Sequence, residues 1–115
     1  MAEKPCQRQI FRIQYSDVDR ARLQTPLGEF EVLNCSEAGL CYQITGEKRP
    51  EVSRTFQGRI LFNSGDTADV AGFVLRASDD QVALRFSKRI SPTLIMNEQR
   101  WLRQHEERPA SIAGQ

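Results

Sequence analysis

Two short groups of polar residues carry the chemistry that this sequence offers. Arg8 and Arg12 stand four positions apart near the start of the chain, and Asn34, Ser36 and Gly39 follow after about twenty residues. A guanidinium group presents a planar fork of donors that matches phosphate oxygens, and its flat face can stack on an aromatic base. Together the two groups therefore indicate a binding site for a small anionic ligand.

Each group also has an ordinary structural interpretation, which stays open at this point. Most arginines are exposed surface charges, and a four-residue arginine spacing arises by chance in many basic segments. Asn, Ser and Gly are all common turn residues. It is the presence of both groups, in this order along the chain, that favours a ligand site.

The composition limits the ligand to something small. The 115 residues carry a net charge of +1, so no overall field attracts long nucleic acid or an anionic membrane. Single-stranded nucleic acid would need a basic groove with exposed aromatic rings, whereas the aromatic residues here mostly share a strand face with other apolar residues. Any anion site must therefore be a local cluster of basic groups.

No segment of the sequence suggests secretion or membrane insertion. The apolar runs are much shorter than the roughly 20 residues that span a bilayer. The start, Met-Ala-Glu-Lys-Pro, lacks the charged and apolar regions of a secretion signal. We therefore expect a cytoplasmic protein.

The cysteines and the single histidine give little support to an enzyme or a metal site. Cys6, Cys35 and Cys41 form an odd, sparse set without Cys-x-x-Cys spacing, which fits a reducing compartment. A zinc site would need all three together with His105. A Cys–His pair would lack a third orienting group, and the sequence contains no nucleophile elbow or phosphate loop. We expect no catalysis, no metal and no cofactor.

Hydrophobic periodicity predicts a single β-rich domain. Residues 1–12 form a polar, flexible arm that carries the two arginines, residues 13–108 form the domain, and residues 109–115 form a loose tail. Apolar residues alternate in short segments separated by turns, which predicts an antiparallel barrel or sandwich. The six predicted strands are Asp17–Thr25, Glu29–Leu33, Leu40–Thr45, Thr55–Phe62, Asp69–Ala77 and Gln81–Ser87.

The last part of the domain has a helical period instead. Ser91 can cap a helix and Pro92 suits its first turn. Apolar residues then recur at three- and four-residue spacings, so we expect a helix that packs on the barrel. Its predicted end lies near Glu107, before Pro109.

The two polar groups and this order of elements resemble the PilZ domain family. Arg8 to Arg12 reads R-x-x-x-R and lies before the first predicted strand. Asn34 to Gly39 reads N-x-S-x-x-G and lies in the predicted turn after the second strand, where the family has D/N-x-S-x-x-G. The resemblance covers residues 7–107. It implies an all-β dominated fold, a six-stranded antiparallel β-barrel with one C-terminal α-helix, which serves as a receptor for the bacterial second messenger cyclic di-GMP.

The resemblance also implies which residues contact cyclic di-GMP: Arg8, Arg12, Asn34, Ser36 and Gly39, with Gln7, Gln9 and Arg76 as further candidates. The arginine forks suit the phosphates of the ligand, or the O6 and N7 atoms of guanine. The amide oxygen of Asn34 can accept from guanine N1 or N2, although more weakly than an aspartate. Ser36 can donate to a ligand oxygen, and Gly39 permits close approach. In the family, an arginine just before the first motif favours an intercalated ligand pair, so the resemblance, with Gln7 at this position, implies one ligand per chain.

The implied function is that of a stand-alone, single-domain receptor. It would signal by conformational change to an unidentified effector protein, in the control of motility or biofilm formation. The alternative that stays open is an interaction module of the same fold that does not bind nucleotide. We expect a monomer or a weak dimer.

Overall fold

A computed structural model of the protein describes residues 12–46 and 49–113, with side chains as far as His105. These ranges contain seven strands and one helix: β1 (Arg12–Gln14), β2 (Arg22–Thr25), β3 (Gly28–Ser36), β4 (Gly39–Gln43), β5 (Thr55–Leu61), β6 (Thr67–Ala77), β7 (Gln81–Phe86) and α1 (Pro92–Ala113). The described helix has no stretch that is both long and apolar enough to cross a membrane.

Six of the strands close into an antiparallel barrel. Around it the order is β3, β2, β5, β6, β7 and β4, and β4 pairs with β3 to complete the circle. The seventh strand, β1, pairs with the last part of β3, where Ile13 lies opposite Cys35. The predicted six-stranded barrel with a C-terminal helix is therefore confirmed, and β1 is an additional strand.

Alternation of side chains explains why these segments pair as strands. In β6, Ala68, Val70 and Val74 are buried, and the residues beside them are exposed. Val82 and Leu84 of β7 join the same core cluster. Because successive side chains of a strand point to opposite faces, one face of each strand fills the barrel and the other faces outward.

The helix α1 covers one end of the barrel. Its N-terminus is capped by Ser91, whose hydroxyl accepts a hydrogen bond from the Thr93 amide at 3.2 Å. Pro92 occupies the first helical position, which needs no N–H donor. Ile95 is completely buried and Leu102 packs against the core, so the apolar stripe of the helix faces the barrel.

The helix is longer than the sequence predicts. The prediction ends it near Glu107 and makes residues 109–115 a loose tail, whereas α1 continues to Ala113. Pro109 therefore lies within the helix. A proline removes one backbone donor, here the partner of the His105 carbonyl, and a helix can continue past that single loss.

The polar group around Asn34 lies mostly in strands, which corrects the predicted turn. Asn34 and Ser36 belong to β3 and Gly39 begins β4, so only Glu37 and Ala38 form the turn. The physical reason is that β3 pairs on both sides here, with β1 on one edge and β4 on the other. Two ladders satisfy the backbone of residues that would otherwise favour a turn.

A buried carboxylate fixes α1 to the barrel. Glu98 is completely buried and accepts hydrogen bonds from the Tyr15 hydroxyl at 2.8 Å, and from the backbone amides of Asn63 and Ser64 at 3.1 and 2.9 Å. The side-chain amide of Asn63 donates a fourth, at 2.9 Å. Burial and the negative charge of Glu98 raise the pKa of Tyr15 above its usual value, so its hydroxyl keeps the proton that it donates.

Candidate ligand site

A cavity of about 190 Å³ lies on the outer face of the barrel, beside the turn between β3 and β4. Of the eight residues predicted to contact a ligand, five border this cavity: Arg12, Asn34, Ser36, Gly39 and Arg76. None of the described residues that line it is acidic. The fold therefore brings separate parts of the chain to one positively charged depression.

Small residues form the floor of this cavity. The strand register places Asn34 opposite Cys41, and Cys41 opposite Ala83. Ala83 in turn lies opposite Arg76. Because directly paired residues point to the same face of a sheet, these four form one row across β3, β4, β7 and β6. Cys41 and Ala83 are short and only 8% and 7% exposed, so they leave a depression between Asn34 and Arg76.

Three exposed arginines surround the depression. Arg12 lies opposite Ser36, and Arg85 lies opposite Gly39, while Arg76 ends the row described above. None of the three forms an ion pair with any residue that the structure describes. Four arginines elsewhere do have carboxylate partners, in the pairs Arg20–Glu31, Arg22–Glu29, Arg49–Asp79 and Arg59–Asp69. The three arginines around the cavity thus have no counter-charge among the described residues.

Asn34 is half-buried at the edge of the cavity. Its side-chain amide forms no hydrogen bond with another described residue. Within the described part of the chain, both the oxygen and the NH₂ group are therefore left for a ligand.

Ser36 has a structural role in the turn. Its hydroxyl accepts a hydrogen bond from the Ala38 amide at 3.2 Å and donates one to the Gly39 carbonyl at 3.4 Å. The residue is only 4% exposed. The hydroxyl thus closes the turn between β3 and β4, as the ordinary structural interpretation of this residue expects.

Gly39 is required by the approach of a neighbouring strand. A Cβ atom at this position would overlap the carbonyl oxygen of Leu84 on β7. The absence of a side chain therefore lets β4 and β7 pair closely, and this pairing brings Arg85 to the cavity.

Arg85 is the site residue that the sequence interpretation missed. The alternation in β7 does place it outward, between the buried Leu84 and Phe86. Its position beside Gly39 depends on the pairing of β4 with β7, which periodicity does not reveal. The other three predicted residues, Arg8, Gln7 and Gln9, lie outside the described part of the chain.

The two described cysteines lie on opposite faces of the barrel wall. Cys35 is completely buried in the core, and burial, together with the charge of Glu98, raises the pKa of its thiol to about 12. Cys41 lies on the outer face, in the cavity floor. Both are free thiols. Among residues 12–46 and 49–113, no three His, Cys, Asp or Glu side chains are grouped as a metal ion would require.

Comparison with known proteins gives the fold. No protein-family model matches the sequence, and no curated protein matches it. The PilZ domain with c-di-GMP of YcgR from Escherichia coli matches with a TM-score of 0.63 at 17% identity, over 93% of this chain and 97% of that one. The crystal structure of YcgR in complex with c-di-GMP, also from Escherichia coli, gives a TM-score of 0.53 at 16% identity, over 92% of this chain and 49% of that one.

A third similar structure is that of an uncharacterised Legionella protein. It matches with a TM-score of 0.55 at 15% identity, over 84% of this chain and 98% of that one. The matched structures and the closed six-stranded barrel with its C-terminal helix agree with the predicted resemblance. The chain has the fold of PilZ domains.

Proposed function

We propose that this chain binds cyclic di-GMP at the cavity beside Asn34 and acts as a single-domain receptor. The observation that carries the proposal is the set of three exposed arginines, Arg12, Arg76 and Arg85, around a cavity without a described acidic residue. Like charges held close together repel one another unless an anion neutralises them. The likeness of the fold to a PilZ domain solved with c-di-GMP supports this choice of anion.

The size of the cavity decides how much of the ligand it holds. At about 190 Å³ it is smaller than the sites that enclose a whole drug-sized ligand, which measure roughly 300–1,000 Å³. In our proposal it receives one guanine base or one phosphate. The amide oxygen of Asn34 accepts from guanine N1 or N2, and the arginine forks bind phosphate oxygens or guanine O6 and N7.

The arm before β1 completes the proposed site. Arg8 supplies a further guanidinium fork from outside the cavity, with Gln7 and Gln9 beside it, and one ligand binds per chain. Arg12, the first residue of β1, joins the arm to the barrel. We expect the arm to fold over the ligand, so that hydrogen exchange of the amides of residues 5–12 slows when cyclic di-GMP is added. Equal exchange with and without ligand would rule this closure out.

Ser36 and Gly39 act indirectly in this proposal. The Ser36 hydroxyl holds the turn, and Gly39 admits β7, so both shape the cavity in which Asn34 and Arg85 meet. Replacing Ser36 by Ala therefore weakens ligand binding by loosening the turn.

The conformational signal in our proposal arises at the start of β1. This strand begins at Arg12 in the ligand site, and Tyr15, just beyond its end, donates to Glu98 of α1. The end of β1 is therefore fastened to the helix, and ligand binding changes its start, Arg12, together with the arm before it. We propose that this change is recognised by an effector protein.

A second candidate function is an interaction module that binds no nucleotide. It is favoured by the exposed apolar side chains of Phe73 and Leu75 on β6, which are 37% and 43% exposed. Phe73 lies directly opposite Arg85, so this apolar surface adjoins the arginines. Exposed apolar residues that lie together often mark a protein contact.

Calorimetric titration with cyclic di-GMP and cyclic di-AMP separates the two functions. The two ligands share the phosphate ring and differ in their bases, so a difference in affinity reports recognition of guanine. We expect saturable binding of cyclic di-GMP at one ligand per chain and much weaker binding of cyclic di-AMP. If cyclic di-GMP binds no more tightly than cyclic di-AMP, the receptor proposal fails and the interaction module takes its place.

A further inference from the structure

The barrel has a second opening, at the end away from α1. A cavity of about 500 Å³ lies at this end. Each of the six barrel strands contributes one core-facing residue to its wall: Leu23, Phe30, Tyr42, Phe56, Val74 and Leu84. The cavity therefore lies at this end of the barrel and stops on its packed core. It borders the first residues of β5, whereas Glu98 of α1 contacts the turn that follows β5.

The deepest part of this end cavity is apolar and aromatic. Leu23, Val74 and Leu84 are only 0%, 3% and 4% exposed, so the packed core closes the bottom of the cavity. Nearer the opening, the rings of Phe30 and Tyr42 lie with their centroids 4.7 Å apart. Water gains few hydrogen bonds against such a wall, and an apolar ligand group displaces it favourably.

The rim of the opening combines apolar side chains with the polar residues Thr25, Thr55, Gln57 and Ser87. Leu27, in the hairpin between β2 and β3, is 79% exposed, and Pro26 and Pro50 lie around the same cavity. A large exposed leucine beside an open apolar cavity adds a surface that an apolar chain can bury as it enters.

One charged residue lies at this opening. Arg54 is the single charged residue among the described residues that line the cavity, and it forms no ion pair with any of them or with another described residue. Its backbone is held in place, because the Arg54 carbonyl accepts from the Val74 amide at 2.8 Å and the neighbouring Ser53 amide donates to the Val74 carbonyl at 2.8 Å. Ser53 adopts a left-handed conformation, with φ of 75°, to reach this pairing.

We propose that the end cavity binds a small amphipathic anion, a medium-chain carboxylate, with its apolar chain against Phe30, Tyr42 and Phe56 and its carboxylate on Arg54. The chemistry of the lining carries this choice. An apolar floor with a single charged residue among the described lining residues matches an apolar molecule with one terminal anion, and matches neither a polar nucleotide nor an uncharged chain as well. The proposal is independent of cyclic di-GMP binding on the outer face.

Amide NMR of the full chain, titrated with sodium octanoate, tests this proposal, and 1-octanol serves as the uncharged comparison. We expect saturable shift changes at Arg54, Phe56 and Val74, without matching changes at Asn34 in the outer cavity. We expect octanoate to bind more tightly than octanol. Arg54→Gln should weaken octanoate by about tenfold, because a charge-assisted contact is lost, and leave octanol unchanged.

The matched control is Arg100→Gln, which removes an exposed helical arginine outside the cavity. It should leave octanoate binding at the wild-type level. Because Arg54 and Arg100 are both exposed, the amide spectra of the two variants should show an intact fold. The proposal is overturned if octanoate gives no saturable shifts, or if Arg54→Gln changes octanoate and octanol alike. It is also overturned if the shifts at the opening depend on protein concentration alone, since a second copy of the chain then fills it.

Discussion

β1 connects two polar clusters that are built in opposite ways. At its start, Arg12 lies with Arg76 and Arg85 around a cavity in which no described carboxylate faces them. Just past its end, Tyr15 donates to Glu98, whose two oxygens together receive four hydrogen bonds. One cluster is exposed and lacks counter-charges among the described residues, and the other is buried and complete.

The difference between the two clusters separates residues that stabilise the fold from residues that are available to bind a ligand. A buried charge is tolerated when donors of the chain satisfy it, and removing it leaves those donors without partners. Exposed like charges without partners repel one another and add no stabilising contact to the free protein. They contribute favourable free energy when an external anion binds to them. Glu98 and Arg12 should therefore respond to substitution in opposite ways, one in stability and the other in affinity.

The largest effect is expected from Glu98→Ala. The substitution removes the acceptor of four hydrogen bonds and leaves the buried Tyr15 hydroxyl and the part-buried backbone amides of Asn63 and Ser64 without this partner. We expect the free energy of unfolding, measured in urea, to fall by about 3 kcal/mol or more. Glu98→Gln, which keeps one acceptor oxygen, should lower the free energy of unfolding by a smaller amount.

A fall of less than about 1 kcal/mol for Glu98→Ala would contradict the view that this cluster holds α1 to the barrel. Affinity for cyclic di-GMP, measured where the variant is still folded, should stay near the wild-type value, because Glu98 does not border the outer cavity.

The next largest effect is expected from Arg12→Ala, as a loss of affinity for cyclic di-GMP. Loss of a charge-assisted contact to the ligand should cost at least ~2 kcal/mol of cyclic di-GMP binding, or roughly thirtyfold in the dissociation constant measured by calorimetry. The free energy of unfolding should change by less than about 0.5 kcal/mol, because the side chain is exposed.

Arg100→Ala is the control for this variant. It makes the same change in net charge at an exposed position of α1 that does not border the cavity. Equal affinities of Arg12→Ala and Arg100→Ala for cyclic di-GMP would show that only overall charge matters, and would remove Arg12 from the site.

The sequence predicted the barrel strands because each carries its own signal. In β6 and β7 the alternation of buried and exposed residues is visible from residue type alone. β1 has only three residues, of which Ile13 is the one buried, and it is ordered by pairing with β3 rather than by its own pattern. The continuation of α1 through Pro109 was not predicted for a similar reason. A proline is a local signal for the end of a helix, whereas the hydrogen bonds of the other helical residues together outweigh the one that Pro109 removes.

The site was predictable only in part. The spacing of Asn34, Ser36 and Gly39 pointed to the corner of the barrel where the outer cavity lies, but the assignment of Asn34 to a turn was wrong because pairing with β1 could not be read from the sequence. Arg85 joins the cavity through cross-strand register, which depends on distant parts of the chain. The end cavity has no sequence signal, since the core-facing residues of its wall have the same pattern as any core residue.

Tyr15→Phe gives a smaller test of the comparison, three residues from Arg12. The variant keeps the ring and removes the hydroxyl that donates to Glu98 at 2.8 Å. We expect a loss of about 1.5 kcal/mol in the free energy of unfolding, because a hydrogen bond to a charged group is lost. Cyclic di-GMP affinity should stay within twofold of wild type, roughly the error of such a comparison. A large loss of affinity at full stability would mean that the two clusters are not separate.

The smallest effect on stability is expected in alkaline solution. It arises from the buried face of β3 and not from the face that borders the outer cavity. Burial raises the pKa of Cys35 to about 12 from an ordinary value of 9.0, so the unfolded chain loses this proton first as the pH rises. The stability that depends on the protonated thiol is complete below about pH 9 and is lost as the pH approaches about 12. At about pH 10 the free energy of unfolding should be lower by about 1 kcal/mol.

Cys35→Ala identifies the group responsible. The variant should be less stable at every pH, because a buried side chain is made smaller, but its free energy of unfolding should fall much less between about pH 8 and about pH 10 than that of the wild type. Tyr15 accounts for a smaller remaining fall of the same sign, since its pKa is also raised in the fold and an unfolded tyrosine begins to lose its proton as the pH approaches about 10. If the stability of the variant falls with pH as steeply as that of the wild type, the alkaline loss of stability arises from another group. The buried thiol of Cys35, opposite Ile13, would then not distinguish this face of β3 from the face that borders the arginines.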